Sequence, residues 1–464
     1  MIVMKFGGTS VEDARSMKSS MEIVRRELSR RPVIVNSAIA GATNQLLTSA
    51  HVAFEGKLEE ANKLLSDLHE RHVLILENVV ENRSTVQQVL MELKKRFEEL
   101  KNLCTGIAIL GELTPRSLDA IASAGERLSS LILAEGLRES GIATELVDAR
   151  RFMITDDNFG SAAPLLSEVE NRVKSEIAPL LQSGKLVVTQ GYIGVTTKNI
   201  TTTLGRGGSD YSAAIIGAVL NAEEIQIWTD VDGVMTADPR IVPSAKKLKM
   251  ISFREASELA YFGAKVLHPS TILPAVQKNI PVIVLNSKRP QSSGTRIVAS
   301  PTKSSVAVKS IASKRGITVI NIQSTRMLMA YGFLESIFSV FRKHKTAVDL
   351  VCTSEVAVSL TIDNTASLPE IVRDLEDFSD VTVHEHKAIL CLVGEQMQTT
   401  AGIADRIFRA IGDINVMMVS QGASEINMSL VIDEQFVSDA VRRLHKEFFE
   451  PVPEIEIFES VAVG

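Results

Sequence analysis

Two glycine-rich stretches of this chain carry basic side chains on turns. The first, Lys5-Phe6-Gly7-Gly8-Thr9-Ser10-Val11, follows a short apolar strand. The second, Thr202-Thr203-Leu204-Gly205-Arg206-Gly207-Gly208-Ser209-Asp210-Tyr211-Ser212, repeats the theme far downstream. Glycine lacks the Cβ that would block an anion, and a helix beginning at such a turn adds partial positive charge. Lys5 and Arg206 add full charges, and Asp210 can receive an ammonium or orient a metal. Two such turns suggest two anionic reactants brought together, as phosphoryl transfer to an acid requires. Either turn alone would also serve as a plain helix cap; a basic residue in each favours anion binding. Neither is a Gly-x-x-x-x-Gly-Lys-Ser/Thr phosphate loop, and Gly205-Arg206-Gly207-Gly208 lacks the third, spaced glycine of a dinucleotide fingerprint.

The elements that must position these turns follow from hydrophobic periodicity. Short apolar strands are predicted at Ile2–Phe6, Pro32–Ser37, Ala143–Asp148, Lys185–Gln190, Glu224–Thr229 and Pro281–Asn286, alternating with helical stretches. That alternation predicts an α/β sheet with crossover helices, its Val- and Ile-rich strands buried on both faces. Between about Glu55 and Leu103, apolar residues at three- and four-residue spacing in charged sequence predict a helical hairpin on the sheet.

At 464 residues two or three domains are expected. A content of 45% hydrophobic and 23% charged residues fits a soluble globular protein. The net charge of −6 argues against nucleic acid as a partner. No apolar run approaches the roughly 20 residues that span a bilayer, and the sequence starts directly in a strand, so neither a membrane nor a leader is expected. Cys104, Cys352 and Cys391 are isolated thiols without CxxC spacing, which suits a reducing, cytoplasmic setting. His384 and His386 would share one strand face, and a surface strand is expected there rather than a metal site.

Beyond about Ser305 the sequence repeats itself at a constant offset of 70. Gly332 falls on Gly402, Ile337-Phe338 on Ile407-Phe408, Ser354-Glu355 on Ser424-Glu425, and Ile362-Asp363 on Ile432-Asp433. Such a repeat marks a duplicated unit of strand, glycine turn, helix, strand, hairpin turn and strand. Asp349 of the first copy is replaced by Val419 in the second, so a cationic or amphoteric ligand would find an acid only in the first.

Further motifs stand in order between these features: Ser37-Ala38-Ile39-Ala40-Gly41-Ala42-Thr43-Asn44, Gly125-Glu126-Arg127-Leu128-Ser129, Trp228-Thr229-Asp230-Val231-Asp232-Gly233-Val234, Ala237-Asp238-Pro239-Arg240 and Phe262-Gly263-Ala264-Lys265-Val266-Leu267-His268-Pro269. With the two glycine turns, this ordered set resembles the monofunctional aspartate kinases (aspartokinases) of the amino-acid-kinase superfamily with C-terminal tandem ACT domains, most like the lysine-sensitive type. The resemblance spans essentially the full length. It implies an α/β amino-acid-kinase sandwich with a mainly parallel central sheet over residues 1–300. Two ferredoxin-like βαββαβ ACT domains would follow, the first at 315–390 and the second formed by 301–314 and 391–464.

The implied reaction moves the γ-phosphoryl of ATP, with Mg²⁺, to the β-carboxylate of L-aspartate. The product would be 4-phospho-L-aspartate, at the head of lysine, threonine and methionine biosynthesis. Such catalysis is mostly alignment and positive electrostatics, and the attacking carboxylate is already ionised, so no general base is needed. The resemblance assigns catalysis to Lys5, Gly7, Gly8 and Asp210, with the Gly7 and Gly8 amides facing the transferred charge. Ser37, Thr43, Glu126, Arg206, Gly207, Gly208 and Ser209 would bind aspartate. Arg206 is suited to clamp its α-carboxylate, Asp210 and Glu126 its ammonium, and Ser37 and Thr43 its reacting end. Lys5, Gly8, Thr229, Asp230, Met235, Arg240, Lys265 and Val266 would face the nucleotide, Met235 standing where some relatives have a tyrosine. No metal ligand is assigned, because Mg²⁺ on the phosphates often keeps its waters.

Feedback control by an end-product amino acid is implied at Met327, Gly332, Phe333, Leu334, Asp349, Thr353, Ser354 and Glu355. Asp349 would hold the ligand's amine and the backbone near Gly332 its carboxylate. Lysine is the expected effector, with threonine left open because Ala330 replaces a serine of some relatives. ACT units that pair edge to edge imply a homodimer at least, with a tetramer left open. A related carbamate, glutamate or uridylate kinase, or a non-catalytic amino-acid sensor, fits less well. The repeat and the presence of Lys5, Arg206 and Asp210 weigh against them.

Overall fold

The computed structural model describes residues 1–263, 267, 269–301, 306–324, 331–422, 424–450 and 458–459. Lys265, Val266, Met327 and Ala330 lie outside the described residues. The chain divides into two compact units. One comprises Met1–Val234, Met250–Phe253 and Val266–Pro301; the other comprises Met235–Lys249, Arg254–Lys265 and Thr302–Gly464. No helix among the described residues is long and apolar enough to cross a membrane.

In the first unit the apolar runs become one sheet. Its strands are β1 (Val3–Phe6), β2 (Val33–Asn36), β3 (Thr144–Val147), β4 (Leu186–Gln190), β5 (Ile225–Thr229), β6 (Met250–Ser252), β7 (Val282–Asn286) and β8 (Thr295–Val298). Their spatial order is β6-β8-β7-β5-β1-β2-β4-β3, parallel at every pair except β7–β8. All residues of β2 and β4 are buried, as strands covered on both faces must be. The six predicted strands are all present, and β6 and β8 are additional. Both are short and lie at one side of the sheet, where few apolar residues are demanded.

Helices α1 (Ala14–Arg26), α2 (Ala42–Phe54), α3 (Leu58–Val79), α4 (Arg83–Leu110), α5 (Ala124–Glu139) and α6 (Gly208–Val219) belong to this unit. The predicted hairpin is α3–α4, and α4 runs past Leu103 to Leu110. Asn82 caps its start by accepting from Ser84 and Thr85 amides, and Gly111 at φ +63° ends it. Leu65, Leu68, Leu76, Leu93 and Leu100 of this hairpin join β1 and β2 side chains in one core.

The second unit contains α7 (Phe253–Tyr261, from Arg254 onward) and a six-stranded antiparallel sheet. Along the chain come β9 (Ser310–Gln323), α8 (Phe333–Lys343), β10 (Val351–Thr353), β11 (Ala357–Ile362), α9 (Leu368–Glu376), β12 (Asp380–Val393), α10 (Ile403–Ile411), β13 (Val416–Gln421), β14 (Asn427–Asp433) and α11 (Val437–Phe449). The order is β10-β11-β9-β12-β14-β13. The repeat is visible in the backbone: Gly332 and Gly402 open α8 and α10 at φ +82° and +83°, a left-handed conformation that favours glycine. Strands β9 and β12 each serve both copies, residues 310–314 pairing with 389–393 and 317–323 with 380–387. The register shift between these halves places Gly316 at φ +70° and His386 at φ +56°. An extra β12 residue there breaks the simple alternation that would have put His384 and His386 on one face.

Leu390 is fully buried on β12, in register with Ser313 and Leu430. Leu390→Ala should destabilise the second unit by about 2–5 kcal/mol, read as a lower denaturant midpoint for its unfolding transition.

Candidate active site

Strand β1 has β2 on one side and β5 on the other, so the chain order reverses across it. Open parallel sheets bind ligands beyond the carboxyl ends of the strands at such a point. Lys5 stands there, level with Val35 and Ile227. The turn after it is fastened to its neighbours. The Gly7 amide donates to the Trp228 carbonyl at 2.9 Å, and the Ser10 hydroxyl donates to Trp228 O and Ser287 Oγ at 3.1 and 2.8 Å. The Gly7 N–H is therefore committed to the sheet, which corrects the expectation that both glycine amides face the transferred charge. Nor does a helix start at once. A short 3₁₀ turn, Gly8–Ser10, intervenes, and α1 begins at Ala14 with Asp13 as its cap.

A Cβ on Gly8 would lie 3.0 Å from the Ala38 carbonyl oxygen, and one on Gly125 would lie 2.8 Å from Ala38 Cβ. These close approaches press β1, the Ser37–Thr43 loop and the start of α5 together. Ser129 of α5 donates to the Ser37 carbonyl at 2.5 Å and accepts from Asn36 Nδ2 at 2.8 Å. Glu126, one turn earlier, is 4% exposed. Burial pushes its carboxyl up to about 8, against the pull of its own and the Ala38 amides and of the Lys5 charge. Its Oε2 is buried with no hydrogen-bond partner among the described residues.

The second glycine turn arrives from another direction. Gly205 and Gly207 take φ +75° and +72°, and α6 opens at Gly208. A Cβ on Gly208 would meet Tyr192 Cδ2 at 2.8 Å, and one on Gly191 would meet Ser209 Cβ at 2.6 Å. Asp119, 2% exposed, accepts from the Thr203 amide and hydroxyl at 3.0 and 2.6 Å and from the Gly160 amide at 2.9 Å. Asp210, in the first turn of α6, then meets Lys5 at 2.7 Å, with side chains only 14% and 12% exposed. Arg206 is exposed and makes no ion pair among the described residues. Asp119 and Tyr192 were missed by sequence reasoning. An aspartate on the apolar face of the Pro115–Ala122 helix was the available signal for the first. Tyr192 sits at φ +68°, a conformation that its residue type does not announce.

The expected nucleotide residues fall in both units. Thr229 and Asp230 lie at the end of β5, the Thr229 hydroxyl donating to Asp230 Oδ1 at 3.2 Å. Met235 and Arg240 belong to the second unit, where the exposed Arg240 folds back on Asp238 at 2.7 Å.

Residues 1–286 match the amino acid kinase family and residues 390–448 the ACT domain. The chain is 37% identical over 462 residues to the lysine-sensitive aspartokinase 3 of Escherichia coli K12, covering 97% of this chain and 99% of that protein. It is 32% identical over 486 residues to the aspartokinase of Schizosaccharomyces pombe, covering 97% and 93%. Its structure matches E. coli aspartokinase III in complex with aspartate and ADP, in the R-state, with a TM-score of 0.85 and 36% identity over 97% of this chain and 100% of that one. It matches the same enzyme in complex with lysine and aspartate, in the T-state, with a TM-score of 0.81 at 37% identity over the same shares. The chain belongs to the aspartokinase family. Its activity is accordingly that of an aspartate kinase under allosteric control.

The residues expected to hold an effector fall in the second unit. Gly332 opens α8, Phe333 packs edge-on against Phe378 at 5.7 Å, and Leu334 is exposed. Thr353 ends β10, and Ser354 and Glu355 begin the exposed turn after it, where the Ser354 amide donates to Ala357 O at 2.8 Å. Asp349 is already engaged at one oxygen. Its Oδ1 is taken by the Tyr261 hydroxyl at 2.7 Å and by Lys314 Nζ at 2.9 Å.

Glu126 links this geometry to pH. Between its ordinary value of 4.5 and about 8, the folded protein holds a proton that the unfolded chain releases. The resulting stability is complete at low pH and declines by about 1.4 kcal/mol per pH unit as pH rises through that window. Glu126→Gln should flatten the decline, measured by chemical denaturation of the ligand-free enzyme from pH 5 to 8.

Proposed function

We propose that this chain transfers the γ-phosphoryl group of ATP to the β-carboxylate of L-aspartate, giving 4-phospho-L-aspartate and ADP. This would be the first step of lysine, threonine and methionine biosynthesis, restrained by lysine through the first ACT repeat. The observation that carries the chemistry is the Lys5–Asp210 pair at 2.7 Å, which joins the two glycine turns beside the open oxygen of Glu126. The E. coli relative's complexes with aspartate, ADP and lysine supply the ligand classes.

In this reading the substrate ammonium is received by Glu126 Oε2 and Asp210, while the exposed Arg206 guanidinium takes the α-carboxylate as a bidentate fork. The β-carboxylate is then left toward Ser37, Thr43 and Lys5. Its oxygen forms a bond to the γ-phosphorus as the bond to the ADP oxygen breaks. Lys5, the Gly8 amide and the first-turn amides of α6 at Ser209 and Asp210 meet the charge that spreads over the phosphoryl oxygens. Mg²⁺ enters as part of the nucleotide substrate, with Thr229 and Asp230 on the nucleotide side and Met235, Arg240, Lys265 and Val266 completing it. The ion is assigned to the phosphates and its waters.

Asp349 is assigned the effector amine and the amides opening α8 at Gly332 its carboxylate. We assign 1–300 to the kinase domain, 315–390 to the first ACT domain, and 301–314 with 391–464 to the second. A homodimer through the ACT domains is proposed, as the edge-to-edge pairing of such units implies.

Arg206→Ala should raise the aspartate KM by roughly 100-fold, the loss of a charge-assisted pair, and change the ATP KM by less than about threefold. Equal effects on both, in steady-state kinetics with each substrate varied, would remove the clamp assignment. Asp349→Asn should abolish lysine inhibition of aspartate-dependent ADP release; an unchanged inhibition curve would discard the first-repeat effector site.

A further inference from the structure

The Asp349 carboxyl is held at one oxygen and open at the other. Tyr261 and Lys314 both take Oδ1, whereas Oδ2 is buried with no hydrogen-bond partner among the described residues. Lys314 also reaches Asp363 Oδ2 at 2.8 Å, and its ammonium stands 5.2 Å from the centre of the Tyr261 ring. Two carboxylates thus share one ammonium, leaving the cluster net negative, and a buried carboxylate oxygen without a donor is costly. A ligand ammonium at Oδ2 relieves both. It also places a second cation beside Lys314, and like charges at that range repel strongly where water is scarce. Lys314 has a retreat, since Asp363 already holds its other side. The Tyr261 ring would then lose the cation above it, while its hydroxyl stays on Asp349 Oδ1.

Tyr261 closes the last turn of α7, a helix fixed at three earlier positions. Glu255 lies 2.9 Å from the buried Lys309, Arg254 lies 3.4 Å from Glu425, and Glu258 accepts from Ser424 Oγ and Asn427 Nδ2 at 3.1 and 2.5 Å. After the helix, Gly263 takes φ +112°, where a Cβ would fall 2.5 Å from the Ser313 carbonyl oxygen. Tyr261 and Gly263 therefore both bear on the Ser313–Lys314 stretch of β9. The next residues in sequence, Ala264-Lys265-Val266, lead into the proposed nucleotide set.

We propose that Tyr261 is a positioning residue that couples occupancy of Asp349 by a ligand ammonium to the placement of the end of α7. With the site empty, the Tyr261–Asp349–Lys314 cluster keeps the end of α7 in place. An amino-acid ammonium at Oδ2 drives Lys314 toward Asp363 and loosens that cluster, so the effector's binding energy is spent partly on moving the end of α7. The proposal rests on the effector reading of Asp349.

The test compares the full-length enzyme with Tyr261→Phe and Asp349→Asn, using lysine as the probe. Lysine binding is measured by calorimetry, and inhibition as the residual rate at saturating lysine relative to each protein's own uninhibited rate. In Tyr261→Phe, the lysine Kd should stay within about threefold of wild type, while the residual rate rises roughly fivefold or more, the lower range of allosteric couplings. An inhibition curve matching wild type would overturn the coupling role, and so would loss of binding together with inhibition. In the wild type, hydrogen exchange over residues 254–263 should speed up when lysine is added; unchanged exchange would also overturn it. If Asp349→Asn still binds lysine as wild type does, the effector reading itself fails and takes the coupling with it.

Discussion

The ion pair between Lys5 and Asp210 sets the terms for the rest of the kinase unit. One partner sits near the end of the central strand and the other in the first turn of α6, so the contact ties two turns that are far apart in sequence. An ammonium and a carboxylate with so little exposure stabilise each other only when the geometry is close. The surrounding backbone is arranged to allow that closeness. Gly8, Gly125, Gly191 and Gly208 each stand where a Cβ would crowd a neighbouring segment, and Asp119 holds the second turn through two hydrogen bonds from Thr203 and a third from Gly160.

Within that frame Glu126 is an unfinished interaction. A carboxyl buried beside Lys5, with one oxygen lacking a donor, is less stable than a fully satisfied core group would be. Perturbed acids of this kind concentrate where a ligand completes the site. Arg206 is the complementary group, exposed and without an ion pair among the described residues. In the proposed reading a small amphoteric acid completes both.

The regulatory unit shows how duplication divides labour on one backbone. The turns at Ser354-Glu355 and Ser424-Glu425 are equivalent by the repeat, yet the second is engaged by Glu258 and Arg254 of α7, while the first is exposed. Likewise Asp349 in one copy is Val419 in the other. One copy holds α7 through its turn; the other meets the end of α7 through a charged cluster with an open oxygen. The same helix therefore contacts both copies, by chemistries that respond differently to a charged ligand.

Much of this was legible in the amino-acid order. Strands rich in Val and Ile announced the parallel sheet because burial on both faces leaves no alternation to read. The glycine turns announced close backbone approach because few other residues permit it, and the 70-residue offset announced the duplicated unit. Sequence alone also determined which side chains were available for chemistry: Lys5, Glu126, Arg206, Asp210 and Asp349. It did not determine their partners. That Gly7 gives its amide to Trp228, that Asp119 anchors the second turn, and that Tyr261 and Lys314 occupy Asp349 were decided only by the tertiary structure. Hydrogen bonds and ion pairs depend on distances of a few ångströms between segments distant in the chain, and local periodicity carries no information about those distances.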